Sequence, residues 1–329
     1  MEQSEKIIRW GMIGCGSGTE VKSGPAYQTT QGFELKAVMR RDIEKLLDYA
    51  QRHHIEKTYT HADDLINDPT IDAIYIATPP DTHLFYALKV ANAGKPCCIE
   101  KPLSPSYQDS LKIYQTFENK NIPLFVAYYR RSLPRFEQIN QWLKANKIGQ
   151  VRTIHWQFSK PVNALDLSKT YNWRTDATIA YGGYFDDLAS HGLDLFCHFF
   201  GEVQEAQGFS CNQQNLYTAK DAVVGSWLYA NGMTGTGNWN FGASMHEDFV
   251  TISGSDGTIT FSVFHENPIV LKSKTEELSL LIENPKHVQQ FHVENLKKHL
   301  FDEDFEHPST GKSALHTSWL MEQILGNQS

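Results

Sequence analysis

Short apolar runs and amphipathic stretches alternate through the first third of the chain. Ile7 to Ile13 reads as a buried strand and Glu34 to Met39 as a second. Asp42 to His54 then sets Ile43, Leu46, Leu47 and Ala50 on one helical face. Ala73 to Ala77 predicts a third strand, followed by a helix with Leu84, Leu88 and Ala91 in register. Pro96 to Glu100 and Leu124 to Ala127 predict further strands, with the helical stretch Tyr107 to Asn121 between them. Strands alternating with helices in this way predict right-handed crossovers in a doubly wound parallel sheet.

After a helix near Pro134 to Lys147 the texture changes. In Val151 to Phe158 the residues Ile154, Trp156 and Phe158 share one face of a half-buried strand. Asn231-Gly232 and Asp256-Gly257 sit between apolar runs, and both dipeptides tolerate the positive φ angles of tight hairpin turns. The tail returns to helix, with Leu315, Trp319 and Ile324 near helical spacing. The expected architecture is α/β: a dinucleotide-binding-type domain over 1–127, then an α+β domain over 128–329 with a large, mainly antiparallel sheet.

The length, 329 residues, suits two domains. Charged residues number 30 Lys+Arg against 38 Asp+Glu, and a net charge of −8 argues against nucleic-acid binding. No apolar run approaches the roughly 20 residues of a membrane helix, and the polar start does not resemble a secretory signal. Five cysteines (Cys15, Cys97, Cys98, Cys197 and Cys211) with no CxxC pair fit a reducing cytoplasm better than a disulfide framework.

The first strand runs into Gly14-Cys15-Gly16, with Gly18 and Thr19 following. In dinucleotide-binding turns the first glycine makes the bend, the second admits the pyrophosphate and the third allows close helix–strand packing. Gly14 and Gly16 fit that pattern. Thr19 stands where the third small residue is expected, and Pro25 predicts that the next helix starts late or is broken. The second strand ends at Arg40-Arg41, whose guanidiniums suit a 2′-phosphate and favour NADP over NAD. Asp42 follows directly and counts the other way, whereas Glu34 begins that strand and is a decoy.

Three further segments carry chemistry. Ala77-Thr78-Pro79, with His83 four residues beyond Pro79, ends one strand, and Glu100-Lys101-Pro102 ends the next; both are expected at the carboxyl edge where such sheets bind ligands. Tyr181 to His191 opens a helix, and Asp187 and His191 are spaced to share one face of it. Asp186, Asp187, His191 and Asp194 do not form a recognised metal-ligand spacing, so no metal is expected. Taken singly, each of these residues has an ordinary structural use.

Together, the glycine loop, Ala-Thr-Pro-Pro-x-x-His, Glu-Lys-Pro and Gly-Gly-x-x-x-Asp-x-Ala-x-His resemble the Gfo/Idh/MocA oxidoreductases over nearly the whole chain. Within that family the pattern is most similar to sugar reductases of the 1,5-anhydrofructose type. The resemblance implies a Rossmann domain followed by an oligomerising sheet domain, hence a homodimer or homotetramer. It implies cofactor contacts from Gly14, Cys15, Gly16, Gly18, Thr19, Arg40, Arg41, Ala77, Thr78, Pro79, His83, Glu100 and Lys101. It also implies that Lys101, Asp187 and His191 form a catalytic group converging at the nicotinamide, with Trp173, Arg174 and Tyr184 as further substrate contacts.

The chemistry agrees with that implication. Hydride transfer at an alcohol carbon requires a proton to move on the attached oxygen, and histidine titrates in the right range. Lysine can stabilise developing oxyanion character, and a carboxylate can orient the imidazole. Whether Lys101 or His191 moves the proton stays open at this stage. The expected activity is NADP- or NAD-dependent interconversion of a hydroxyl and a carbonyl on a sugar or polyol. A glycosidase working through transient oxidation, and a non-enzymatic dinucleotide sensor, are the alternatives.

Overall fold

The computed structural model describes residues 7–302 and 304–326. Two compact units divide the chain, one holding the residues up to Ser132 together with Pro285–Leu315, the other Leu133–Asn284 and the residues from His316 on. The segment Pro285–Leu315 therefore belongs with the N-terminal unit, whereas the sequence reading placed it in the second domain. No hydrophobic break announces the return, because its helix has the same amphipathic texture as its neighbours.

The first unit is ordered β1 (Ile8–Ile13), α1 (Ser17–Val21), α2 (Gly24–Thr29), β2 (Phe33–Met39), α3 (Ile43–Arg52), β3 (Lys57–Tyr59) and α4 (Ala62–Asn67). Then come β4 (Ala73–Ile76), α5 (His83–Asn92), β5 (Cys97–Ile99), α6 (Tyr107–Glu118) and β6 (Leu124–Val126). The six strands form one parallel sheet in the order β3-β2-β1-β4-β5-β6. Chain direction reverses its progress across the sheet between β1 and β4, which is where doubly wound sheets open a ligand crevice.

Register makes that edge explicit. Met39, Ile13, Ile76, Ile99 and Val126 lie in one row across β2, β1, β4, β5 and β6. The next residues along each strand are Arg40, Gly14, Ala77, Glu100 and Ala127, so four of these five are residues the sequence assigns to the cofactor. The row beneath them is fully apolar and buried, which anchors the edge to a dry core on both faces.

The second unit continues with α7 (Pro134–Lys144), β7 (Val151–Ser159), α8 (Ala164–Leu167) and α9 (Ser190–Phe200). It goes on through β8 (Val203–Cys211), β9 (Ala222–Tyr229), β10 (Thr234–Asn240), β11 (Glu247–Gly254), β12 (Gly257–Phe261), β13 (Ile269–Ser273) and β14 (Glu277–Leu280). These strands form an eight-stranded sheet, antiparallel except where β10 runs parallel to β7. Both hairpin signals fall where expected, at the β9–β10 and β11–β12 turns. Trp156 on β7 is buried, donates from Nε1 to Asp248 (3.0 Å) and packs edge-on against Trp239 and Phe196. That contact seats α9 on the sheet.

The chain then enters α10 (Gln290–Phe301) and α11 (Gly311–Leu325), the latter divided between the units at Leu315. Beside α10, His307 is almost wholly buried. With Nε2–H donating to the His292 carbonyl (3.1 Å), its Nδ1 accepts from the Ser309 N–H (2.9 Å). Burial is the main cause pushing its pKa down to about 4 from 6.5. The unfolded chain therefore takes up a proton between those values that the folded chain refuses, and stability falls as pH drops through that window. A shift of this size corresponds to about 3 kcal/mol. His307→Gln, which keeps a donor and an acceptor, is expected to remove about that much of the stability difference between pH ~7 and pH ~4 in urea unfolding; an unchanged difference contradicts the assignment.

Candidate active site

Gly14 has a φ of +95°, and a Cβ placed there would lie 2.7 Å from Thr78 Cγ2 and 3.0 Å from the Ala77 carbonyl carbon. Only glycine lets the β1 turn sit against the end of β4 in this way. Beyond it, a Cβ built at Gly16 or Gly18 meets nothing within 4 Å. The backbone there faces open space, the room a diphosphate needs to approach main-chain N–H groups. The residues present fit a dinucleotide.

Thr19 does not point at that space. Its Oγ1 accepts from the Gly16 N–H (3.1 Å) and donates to the Gly16 carbonyl (2.8 Å), and the residue is buried. It ties the loop to itself, in place of the third-glycine role. The packing task falls instead to Gly24, where a Cβ would lie 2.6 Å from the Thr19 carbonyl oxygen and 2.7 Å from Tyr49 Oη. The first helix is broken between α1 and α2, with Pro25 in the opening turn of α2, as the sequence predicts. Cys15 buries its thiol, whose pKa burial raises to about 11, and only its backbone serves the loop.

Arg40 reaches back from the β2 tip to donate from Nη1 to the Cys15 carbonyl (3.0 Å), while Arg41 is exposed. Asp42 caps α3, accepting from the Lys45 N–H (3.2 Å) and pairing with the Lys45 ammonium (2.8 Å). At the β4 end, Thr78 accepts from the Thr82 hydroxyl (2.7 Å). His83 is wholly buried: Nε2 meets the Thr78 carbonyl at 2.8 Å, and Nδ1 lies 3.1 Å from both the Pro102 and Leu103 carbonyls. It is a brace beneath the two strand-end loops, and its burial pushes the imidazole pKa down. Glu100 and Lys101 follow β5, with a cis peptide between Lys101 and Pro102.

In the second unit the expected α-helical start at Tyr181 is replaced by a wider π-helical turn, Phe185–Ala189, before α9 begins at Ser190. Four-residue spacing from Asp187 to His191 therefore lacks the angular meaning it has on an α-helix. Such turns recur at functional sites. Gly183 enters the turn at a φ of +64° beside the Lys220 carbonyl, again a position for glycine.

His191 is buried, its ring edge-on to Phe264 at 5.8 Å. Arg174 Nε donates to Asp187 Oδ2 at 2.7 Å, and its guanidinium lies over the Trp173 ring, 4.3 Å from the centroid. The structure thus joins Arg174 to a catalytic candidate, where the sequence offered it as a substrate contact. Tyr184 is likewise engaged: its hydroxyl donates to Asp166 (2.8 Å) and accepts from Asn163 (2.8 Å) and Asn172 (3.0 Å). That saturates a phenol, so Tyr184 pins the preceding loop and leaves only its ring for a ligand. Among the described residues no group of three or more His, Cys, Asp or Glu side chains is placed to hold a metal ion.

Residues 8–128 match the profile of an oxidoreductase family with an NAD-binding Rossmann fold, and residues 136–260 match the GFO/IDH/MocA C-terminal domain. Oxidoreductase P35 of Formosa agariphila is 42% identical over 291 residues, covering 88% of this chain and 90% of that protein. The chain belongs to the Gfo/Idh/MocA family of oxidoreductases. Levoglucosan dehydrogenase, solved with NADH and levoglucosan, has the same fold at a TM-score of 0.84 and 20% identity, covering 96% of this chain and 96% of its own. An Agrobacterium radiobacter oxidoreductase solved with NAD+, L-tartaric acid and magnesium matches at 0.82 and 21% identity, covering 95% and 94%. No helix among the described residues is long and apolar enough to cross a membrane.

In the sequence Asp186, immediately before Asp187, is weighed only as a metal ligand, and its burial is not foreseen. Its carboxyl accepts from the Gly182 N–H (2.9 Å), and burial, opposed by that bond and reinforced by Asp187, raises its pKa from 3.8 to about 7. The folded state therefore holds the proton more tightly, so its contribution is full below pH 3.8 and is lost as pH rises through about 7. Asp186→Asn keeps the acceptor and removes the charge. Its stability gain over wild type is expected to be larger at pH ~8 than at pH ~4 by about 4 kcal/mol in urea unfolding; equal gains at both ends contradict the burial argument.

Proposed function

We propose that the protein transfers hydride between a nicotinamide dinucleotide, NADP(H) in preference to NAD(H), and a hydroxyl or carbonyl carbon of a sugar, polyol or related compound. The observation that carries this reading is the open backbone at Gly16 and Gly18 beside the sheet edge from which Lys101 projects its strand end. The sugar class is supported by the levoglucosan complex of a protein with this fold. The NADP preference rests on Arg40 at the loop and on Asp42, whose carboxylate is committed to capping α3. An acidic residue at that tip is what ribose hydroxyls need, and a guanidinium is what a 2′-phosphate needs.

Cys15 and Gly18 would meet the diphosphate through their backbone, Gly14 and Gly16 would shape the turn that makes room for it, and Ala77, Thr78 and Pro79 would flank it. The nicotinamide, when bound, supplies the hydride or accepts it. The remaining work is proton and charge management. Lys101 holds the substrate oxygen and stabilises negative charge as it develops there. His191 gives the proton in reduction and takes it in oxidation. Asp187, anchored at Oδ2 by Arg174, orients the imidazole or the reacting hydroxyl.

Two further assignments belong to this reading. All five cysteines are free thiols, which supports a reducing cytoplasm. Phe209, Val224, Asn238, Gln157 and Phe249 form a cross-strand row on the exposed face of the large sheet, and its outward Phe209, Val224 and Phe249 support self-association there.

Lys101→Ala is expected to lower kcat by roughly 10²–10³-fold while dinucleotide Kd stays within about threefold; near-normal turnover removes Lys101 from the mechanism. Arg40→Ala should raise the KM for NADPH by about tenfold and leave NADH little changed, the worth of one charged hydrogen bond. A wild-type enzyme that selects NADH overturns the Arg40 argument.

A further inference from the structure

The returning segment after the large sheet carries residues that no motif in the sequence marks. His287 Nδ1 donates to the Val21 carbonyl (2.6 Å), and the Gln289 N–H donates to the Lys22 carbonyl (3.2 Å). Val21 and Lys22 lie where α1 breaks before α2, directly downstream of the glycine loop. The side chain of the same Gln289 turns to the other arm of the sheet edge, where Nε2 donates to Glu100 Oε1 at 2.7 Å. One residue thus touches both the glycine-loop side and the Glu-Lys-Pro side. It is 3% exposed.

The donors to Glu100 include three neutral ones. Oε1 also accepts from the Tyr75 hydroxyl (2.6 Å), and Oε2 accepts from the Lys101 N–H (3.2 Å). Groups that face this carboxylate include Tyr75 on β4, Cys98 on β5, Tyr27 on α2 and His83 on α5. Burial keeps both phenols and the thiol protonated and disfavours the charged imidazole. A buried carboxylate oxygen short of a donor is costly, so each of these hydrogen bonds helps fix the carboxylate in one orientation. Gln289 supplies one of these, and its own Oε1 is buried without a hydrogen bond, so the amide has no competing partner on that side.

We propose that Gln289 is a positioning residue of the dinucleotide site: it fixes the Glu100 carboxylate and, through the Glu100–Lys101 hydrogen bond, the backbone that presents Lys101, while its own main chain braces the glycine-loop helix. The proposal rests on the dinucleotide reading above. It implies that the C-terminal segment is a working part of the cofactor site and not only packing for the sheet.

The test is calorimetric titration of NADP+ and NAD+ into wild type, Gln289→Glu and Gln289→Leu at two pH values. Gln289→Glu sets a second carboxylate against Glu100. Two carboxylates at that distance resist joint ionisation and share a proton on acidification. Dinucleotide Kd is therefore expected to rise about tenfold at pH ~8 and to return to within about twofold of wild type at pH ~5.5. Gln289→Leu, with no titratable group, should weaken binding similarly at both. A Gln289→Glu protein that binds like wild type throughout overturns the proposal, and so does one weakened equally at both pH values, because that assigns Gln289 to folding alone. Wild type that binds neither dinucleotide overturns the dinucleotide reading and this proposal with it. Normal wild-type binding beside an unaffected variant overturns only this one.

Discussion

The first unit turns on a steric constraint: the β1 turn must lie against the end of β4 with no side chain between them. Parallel register brings Ile13 and Ile76 into one row, so the chain leaving β1 meets the chain leaving β4 at once. A methyl group at Gly14 would collide with the Ala77 carbonyl and Thr78, and the backbone conformation there is one that L-residues adopt only at a cost of roughly 1–2 kcal/mol. Because Gly14 absorbs that contact, the loop can swing over the sheet edge and leave Gly16 and Gly18 facing empty space. The open space beside the loop is a by-product of how closely two strands end.

Beneath that edge lies a layer of buried polar groups. The buried His83 ring lies between carbonyls of the β4 and β5 loops and donates from one of its nitrogens, and Glu100 joins β5 to Tyr75 and Gln289. Leaving any one of these groups unpaired in a dry interior costs about 1–3 kcal/mol. The network therefore specifies one arrangement of the two loops. In the second unit, an aromatic layer around Trp156 seats α9, and a π-helical turn sets Asp187 where Arg174 can reach it. The first unit is ordered by strand register, and the second by the packing of large rings.

Much of this was legible in the sequence because the relevant signals are local. Alternating apolar runs marked five of the six parallel strands, the short and only half-buried β3 (Lys57–Tyr59) going unmarked. Proline marked the broken first helix, and two dipeptides marked the hairpins. The strand-end motifs do follow the ends of β4 and β5. What could not be read was pairing at a distance. Gln289 and Glu100 are 189 residues apart, and nothing in either neighbourhood points to the other. Arg174 and Tyr184 carried the right chemistry for a substrate, yet both are engaged by the protein itself: one by Asp187, the other by Asp166 and two asparagines. Thr19 looked like a defect in a glycine fingerprint and is instead a local cap. The return of Pro285–Leu315 to the first unit left no compositional trace.

A redox role makes one demand that binding, packing or sensing does not: the hydrogen gained by the substrate must come from the dinucleotide ring. The direct measurement uses reduced cofactor carrying deuterium at the transferable nicotinamide position, a carbonyl sugar that the enzyme turns over, and mass analysis of the product. The account predicts one deuterium fixed on the carbinol carbon and delivered to a single face, with the labelled product forming roughly 10²–10³-fold more slowly when Lys101 is replaced by alanine. Product formed without deuterium, or formed equally well with no dinucleotide present, contradicts it.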